Sequence, residues 1–430
     1  MKGHPKGLYM LFSVELWERF GYYGMRALLT LYMVKYLMFS TEKSGSVYGW
    51  FTGLVYLAPL LGGYIADRYL GQRKCITIGA ILMSAGYFLL GFSKELFFPS
   101  LLTIILGNGF FKPNISTIVG KLYEPGDHRR DGGFTIFYMG INIGAMLSPL
   151  IAGYLGENFG WRYGFWSASV GMLVGLAIFL LNSRSALGNL CMGPAACSAP
   201  GVEGEPVHKA SEPLTLEEKQ RVAVIFILTF FAIFFWAAFE QAGTSLTLFA
   251  DRSTDRTLFG WTFPASWFQA VNPVFIILLA LPFSRLWTWM ADKGIEPVTP
   301  KKFAWGLVFL GLGFVVMIFA AREYKATGAP ISFMWLSAAY FLHTIGELCL
   351  SPVGLSMVTK LAPAKFASLL MGTWFLSSAA ANIIGGRFAG CYDSMELSVF
   401  FMILAATAFV SAFFLFLLVK PLNRWMHGVH

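Results

Sequence analysis

The sequence predicts an all-α membrane protein: twelve transmembrane helices in two six-helix bundles. Three observations lead there. The 430 residues are 56% hydrophobic and only 13% charged, with a mean hydropathy of +0.62, which is too apolar for a soluble domain of this length. Apolar runs long enough to cross a bilayer, roughly 20 residues each, recur along the whole chain. The stretch 183–220, rich in Gly, Pro, Ala and Ser, has linker chemistry and divides these runs into two equal sets. The expected domains are an N-terminal bundle over 1–182, a cytoplasmic linker over 183–220, and a C-terminal bundle over 221–430 that ends in a short tail.

The predicted spans are 8–38, 46–66, 75–93, 99–120, 133–156, 161–182, 221–250, 263–288, 302–321, 331–359, 366–389 and 397–420. The first follows a short basic start like that of a signal peptide. It carries Glu15, Glu18 and Arg19 and lacks a small-residue cleavage site, so it reads as a retained span. An even number of spans puts both termini on one side. Loops on that side hold most of the Lys and Arg, among them Arg68, Arg73, Lys74, Arg129, Arg130, Lys301 and Lys302, which makes it the cytoplasmic side. The net charge of +9 therefore describes topology rather than nucleic-acid binding. The linker ends in Ser211-Glu-Pro-Leu-Thr-Leu-Glu-Glu, which reads as a helix start. Asp67-Arg68 with Arg73-Lys74 after span 2 is echoed by Asp292-Lys293 with Lys301-Lys302 after span 8. Paired halves around a central site are a transporter architecture. The five cysteines are scattered, and Cys191 and Cys197 fall in the linker, where a cytoplasmic thiol stays reduced.

Several charges lie at membrane depth: Glu15, Glu18, Arg19 and Arg26 in span 1, Lys112 in span 4, Glu240 in span 7 and Glu347 in span 10. Helical spacing puts Glu15, Arg19, Tyr22 and Arg26 on one face with Glu18 beside them. A charge at that depth costs about 2.5–3.5 kcal/mol on insertion scales unless it is paired or hydrated, so its default meaning is a substrate or proton path. The competing reading is a static ion-pair cluster that only sets helix register. Pro113 loosens the helix around Lys112 and directs its ammonium toward a central cavity. A proton arriving at a carboxylate would then release Lys112 to bind an anion.

The run Gly62-Gly63-Tyr-Ile-Ala-Asp67-Arg68-Tyr-Leu-Gly71-Gln-Arg73-Lys74 resembles the signature between spans 2 and 3 of the major facilitator superfamily. Its glycines allow close helix contact, and Asp67 with Arg68 would gate the inner side. Glu15-x-x-Glu18-Arg19-Phe20-x-Tyr22-Tyr23 is similar to the helix 1 motif of the proton-dependent oligopeptide transporter (POT/PTR) family. Phe137-Tyr138-Met139-Gly140-Ile-Asn142-Ile-Gly144 resembles a second signature of that family. So do Phe239-Glu240-Gln241, the run from Pro264 through Gln269 and Asn272 to Pro273, and Gly346-Glu347 with Ser351-Pro352. The resemblance implies the major facilitator fold and a proton-coupled symporter importing di- and tripeptides by alternating access. It implies that Arg19 and Lys112 hold the peptide carboxylate and that Glu347, Asn142 and Asn272 receive its amine. Tyr22, Tyr23, Arg26, Tyr56, Trp374 and Ser378 would line the pockets, while Glu15, Glu18 and Glu240, with Lys112, would couple the proton. Release inside would follow deprotonation and a re-formed Glu18–Lys112 pair.

His343 and Glu347 stand four apart, a spacing that can hold a metal, but no second histidine lies in any span. His343 reads instead as a hydrogen-bonded structural group. No metal or cofactor is expected, and no nucleophile, base and orienting group stand together as in an enzyme. The expected partners are peptides, protons and membrane lipid, with no nucleic acid and no obligate protein partner, in a bacterial plasma membrane with both termini cytoplasmic. Many bacterial members of the family carry an extra helical hairpin between the halves, for which 183–220 is too short. Another cargo on the same fold (nitrate, peptide-like drugs or other small metabolites) and a non-transporting nutrient receptor are the alternatives.

Overall fold

The computed structural model describes residues 3–124, 126–127, 129–194, 214–363 and 366–428. Among these, 11 helices are long and apolar enough to cross a membrane. One further helix, α1 (Lys6–Lys35), is 30 residues long and holds the charge cluster. The chain continues through α2 (Thr41–Leu70), α3 (Gln72–Phe92), α4 (Lys94–Lys121), α5 (Arg130–Phe159), α6 (Trp161–Leu187), α7 (Leu216–Arg252), α8 (Ala265–Asp292) and α9 (Thr299–Thr327). It ends with α10 (Phe333–Leu361), α11 (Ala367–Ala389) and α12 (Leu397–Trp425). Most helices outrun the apolar runs that predict them. Polar turns at headgroup depth keep their backbone hydrogen bonds although they no longer look like lipid-facing sequence.

The linker expected over 183–220 begins inside α6, whose last turn closes through Gly188 N–H to the Arg184 carbonyl at 3.1 Å. Cys191, expected as a thiol, is disulfide-bonded. Residues 195–213, with Cys197 and most of the linker, lie outside the described residues. The helix start is where the sequence places it. Thr215 Oγ1 accepts from Glu218 N–H at 3.2 Å, and the Glu218 carboxylate accepts from Thr215 N–H at 2.8 Å, a reciprocal cap on α7.

The chain forms two compact units. The first comprises Met1–Phe39, Leu54–Glu203 and Leu258–Val274; the second comprises Ser40–Gly53, Gly204–Thr257 and Phe275–His430. In the first, α1 packs against α5 and α6, and α3 against α4 and α6. The first turns of α8 belong here as well. Their Ala265 and Ser266 N–H groups donate to the two Glu157 carboxylate oxygens at 2.9 Å each, and Trp267 Nε1 donates to the Leu150 carbonyl at 3.1 Å. In the second unit α9 packs against α10 and α12, and α7 against α11. The start of α2 joins it through Gly45 and Gly49, which lie on the α11 backbone at Gly386, and through Thr41, which donates to Asp393. Thr254–Asp255 and Ile331–Ser332 pair in parallel, tying the end of α7 to the start of α10.

The glycine motif of α2 works through one of its paired glycines. A side chain on Gly62 would run into the Gly109 carbonyl of α4, whereas one on Gly63 would make ordinary contact with Pro113 at 3.7 Å. Gly109 is the residue whose carbonyl Pro113 cannot satisfy, four positions on and without an N–H, so α2 approaches α4 at that weakened point. Despite Pro113, α4 stays helical from Phe97 to Lys121. α2 ends in a widened helical turn, Ala66–Leu70, closed by Gly71 at φ +82°, a conformation that costs a side chain-bearing residue more.

Candidate functional site

The helix 1 charges gather on one buried surface of the first unit. Glu15 and Glu18 are fully buried, and Arg19 and Arg26 are less than a tenth exposed. The Arg19 guanidinium grips Glu18 with two donors, Nε to Oε2 and Nη2 to Oε1 at 2.9 Å, while its Nε also lies 3.2 Å from Glu15 Oε1. Lys112 Nζ reaches across from α4 to donate to the same Glu15 oxygen. The expected Glu18–Lys112 pair is therefore replaced. Lys112 holds Glu15, and Glu18 belongs to Arg19, which is its chain neighbour and can meet both of its oxygens. Glu15 Oε2 accepts from no described residue.

Aromatic rings cover the cations. Arg19 lies 5.4 Å from the Tyr22 ring and 5.9 Å from the Tyr23 ring, and Arg26 lies 5.8 Å from Tyr23. Tyr22 and Tyr23 meet edge to face at 5.5 Å. What brings α5 onto this surface is the spacing Gly140-x-x-x-Gly144. Gly140 leaves room for Phe12, and Gly144 for the Leu16 carbonyl and the Arg19 side chain. Two small residues one turn apart let helix backbones approach closely. That spacing is visible in the sequence, inside the second family signature, but the helix it admits is not. On the other side Gly171 admits the Phe20 ring and Gly175 faces Trp17.

The remaining predicted residues divide between the units. In the first, Asn142 is buried and donates to the Tyr138 carbonyl at 3.0 Å. Tyr56 and Asn272 are half-buried on α2 and on the first turns of α8. Asp67 and Arg68 are exposed. Asp67 accepts from the neutral Gln72 side chain at 2.6 Å rather than from a basic group, and Arg68 donates to the Tyr64 hydroxyl at 3.1 Å.

In the second unit Glu240 is buried where α7 tightens into the turn Glu240–Gly243. Beside it Gln241 bridges to α11, donating to the Gly385 carbonyl at 2.9 Å and accepting from Ser245 Oγ at 2.6 Å. Glu347 is half-buried on α10, one turn beyond His343. His343, expected as a hydrogen-bonded structural group, is packed among aromatic rings. Its ring lies 4.6 Å from Phe314 and 6.4 Å from Phe239, fits a notch left by Gly313, and hydrogen-bonds the Leu310 backbone. Trp374 packs edge-on to Phe303 at 6.4 Å, and the Ser378 carbonyl accepts from Asn382 at 2.9 Å. Among the described residues no three His, Cys, Asp or Glu side chains gather as metal ligands.

Chemically, the first-unit cluster is a store of two cations, one buried and one partly exposed, held by two fully buried carboxylates. Protonating either carboxylate frees a cation for an incoming anion, and losing the proton draws the cation back.

The chain is similar over nearly its whole length to known transporters. It is 36% identical to the peptide transporter YePEPT of Yersinia enterocolitica, covering 99% of this chain and 96% of the relative. It is 32% identical to the dipeptide and tripeptide permease A of Proteus mirabilis, covering 96% and 94%. A crystal structure of a peptide transporter POT in complex with sulfate superimposes with a TM-score of 0.91 at 35% identity, covering 100% of this chain and 97% of the other. A POT family transporter in complex with 5-aminolevulinic acid gives 0.89 at 31% identity, covering 98% of each. Residues 73–186 and 196–409 match the profile of the POT family. The twelve-helix architecture is thus the major facilitator fold of those transporters, and the chain belongs to the POT family.

Proposed function

We propose that this protein is a proton-coupled symporter that imports di- and tripeptides across a bacterial inner membrane by alternating access, with both termini cytoplasmic. The observation that carries the reading is the internally paired cluster of Glu15, Glu18, Arg19 and Lys112. Arg19 is buried and Lys112 partly so, and two fully buried carboxylates occupy them. An ion-pair store of this kind exchanges one anion for another only when a proton neutralises its own carboxylate, which is the logic of symport with a carboxylate-bearing cargo. The names of its relatives, which include di- and tripeptide permeases, support the cargo class.

In this reading Arg19 and Lys112 receive the peptide carboxylate, and Glu347, Asn142 and Asn272 its free amine. Tyr22, Tyr23, Arg26, Tyr56, Trp374 and Ser378 line the pockets. Glu15, Glu18 and Glu240, with Lys112, carry the coupling, and Asp67 with Arg68 the gating. The 1–182 and 221–430 halves work as two six-helix bundles joined by 183–220. Lipid surrounds the spans, and no catalytic step is assigned.

The test is uptake of labelled dialanine by the purified protein in liposomes, with and without an inward proton gradient and with excess unlabelled tripeptide. Gradient-driven accumulation abolished by the tripeptide is the expected result. Exchange without accumulation would remove the coupling assignment. A second cargo is favoured by one observation, the solved relative in complex with 5-aminolevulinic acid, a small amino acid with the same two charged ends as a peptide. Competition by that compound, weaker or stronger than by tripeptide, ranks the two cargoes.

A further inference from the structure

Tyr87, on α3, is fully buried, and its hydroxyl has no hydrogen-bond partner among the described residues. A buried polar group left unmet costs free energy and calls for a reason. Its surroundings supply one. The Tyr87 ring lies against α1 at Gly21, where an added Cβ would sit 2.9 Å from Cε2, the ring atom bonded to the hydroxyl-bearing carbon. Gly21 is one turn beyond Glu18, so the hydroxyl ends beside the surface that holds the charge cluster, within electrostatic reach of Glu18, Tyr22 and Arg19. It is held there. One turn earlier, Ser84 and Ser169 bond each other's carbonyls at 3.2 and 2.9 Å, clamping α3 to α6, and Gly86 sits against Ser100 and Ile104 of α4.

We propose that Tyr87 is a positioning residue for the proton step: its hydroxyl takes over the Glu18 carboxylate when Arg19 leaves it for the cargo. The inference rests on the symport reading. Here Arg19 donates to both Glu18 oxygens, and the Tyr87 hydroxyl donates to no described residue. Once the guanidinium turns to an incoming carboxylate, Glu18 is a fully buried group that has lost its bidentate partner. A phenol suits the vacancy because it donates to a carboxylate and accepts from a carboxylic acid, staying bonded through the change of protonation. The charged groups that face Glu18 are Glu15 and Arg19 from α1 and Lys112 from α4. Toward α1, α5 presents Gly144, and α6 presents Gly171 and Gly175. Tyr22 and Tyr23 of α1 lie over Arg19, and Tyr87 is the neutral hydroxyl that α3 brings to the cluster.

Two measurements test this. In liposomes, Tyr87→Phe removes one oxygen and no packing atom. The expected result is a shift of the external-pH midpoint of dialanine accumulation toward alkaline pH by about one unit, because losing a donor to the carboxylate favours its protonated form. Accumulation should fall more than gradient-free counterflow. In the Glu18→Gln background the same change should leave the pH profile where it was. The second measurement needs no transport. In pH-difference infrared spectra, the carboxylic C=O band lost in Glu18→Gln should form at higher pH in Tyr87→Phe than in the unsubstituted protein. An unchanged band and an unchanged pH profile, or a shift that persists in Glu18→Gln, would overturn the role. A protein that accumulates no dialanine while its band does shift would retire the symport reading and leave the Tyr87–Glu18 contact standing.

Discussion

Replacing Lys112 with methionine keeps much of the side-chain volume and removes the ammonium from Glu15. The Glu15 carboxylate is fully buried, its Oε2 already accepts from no described residue, and its remaining partner would be Arg19 Nε at 3.2 Å, a donor that Glu18 also uses. Removing one partner of a buried ion pair costs about 3–5 kcal/mol. The Lys112 side chain is 29% exposed, so the low end, about 3 kcal/mol, is the expected loss. Replacing Glu15 with glutamine in the same protein removes the stranded charge and should recover most of that loss. The coupling energy of the double-mutant cycle should therefore exceed about 1.5 kcal/mol. Thermal unfolding of the purified protein in detergent measures the cycle, and dialanine accumulation in liposomes measures the function, which the single change should abolish. A coupling energy near zero would show that Lys112 does not compensate Glu15. Accumulation against a gradient in the Lys112→Met protein would break the coupling scheme built on the pair.

Gly144→Ala should destabilise the protein by about 1–3 kcal/mol, since its methyl would press on the Leu16 carbonyl and drive α5 off α1; an unshifted melting temperature would mean the helices do not meet there. Glu157→Ala strips two backbone N–H groups at the start of α8 of their acceptor, with a loss of about 1 kcal/mol read in the same melt, and Glu157→Gln should fall between. Glu347→Ala should impair uptake of peptides with a free amine far more than uptake of N-blocked analogues, and equal impairment would remove its proposed role. Glu396, ahead of α12, is held below the ordinary carboxylate range by its hydrogen bond from Ser398 and then by Lys325. A depressed carboxylate contributes stability that is complete above its unfolded value and lost as pH falls through the folded one. The melting-temperature gap between the protein and Glu396→Gln should therefore close on acidification, and a gap constant with pH refutes the pairing.

Helix 1 shows how far the sequence carries the site. The i, i+3 and i+4 spacing of Glu15, Glu18, Arg19 and Tyr22 is local geometry, so their shared surface was legible before any fold was known. The helix start in the run from Ser211 was legible for the same reason, although its cap, Thr215, was not singled out. Gln241, Glu157 and Tyr87 were not legible, because each acts on a backbone or side chain far away in the chain. Gln241 meets Gly385, Glu157 meets Ala265, and Tyr87 lies against Gly21. The motif glycines were read for closeness in general, but which of Gly62 and Gly63 is needed depends on where the Gly109 carbonyl lies.

By itself the sequence determined the number of spans, the charges at membrane depth and the residues able to share a helical face. Bilayer thickness and the helical repeat are enough to decide all three. Only the tertiary structure decided the pairing within the cluster. Both Glu15 and Glu18 stand beside Arg19 in the chain, so local spacing cannot assign Lys112, which arrives from 97 residues away, to either. The assignment to Glu15 is made by the packing of α4 and α5 around α1, because two oxygens on Glu18 match the guanidinium fork and the ammonium needs only one.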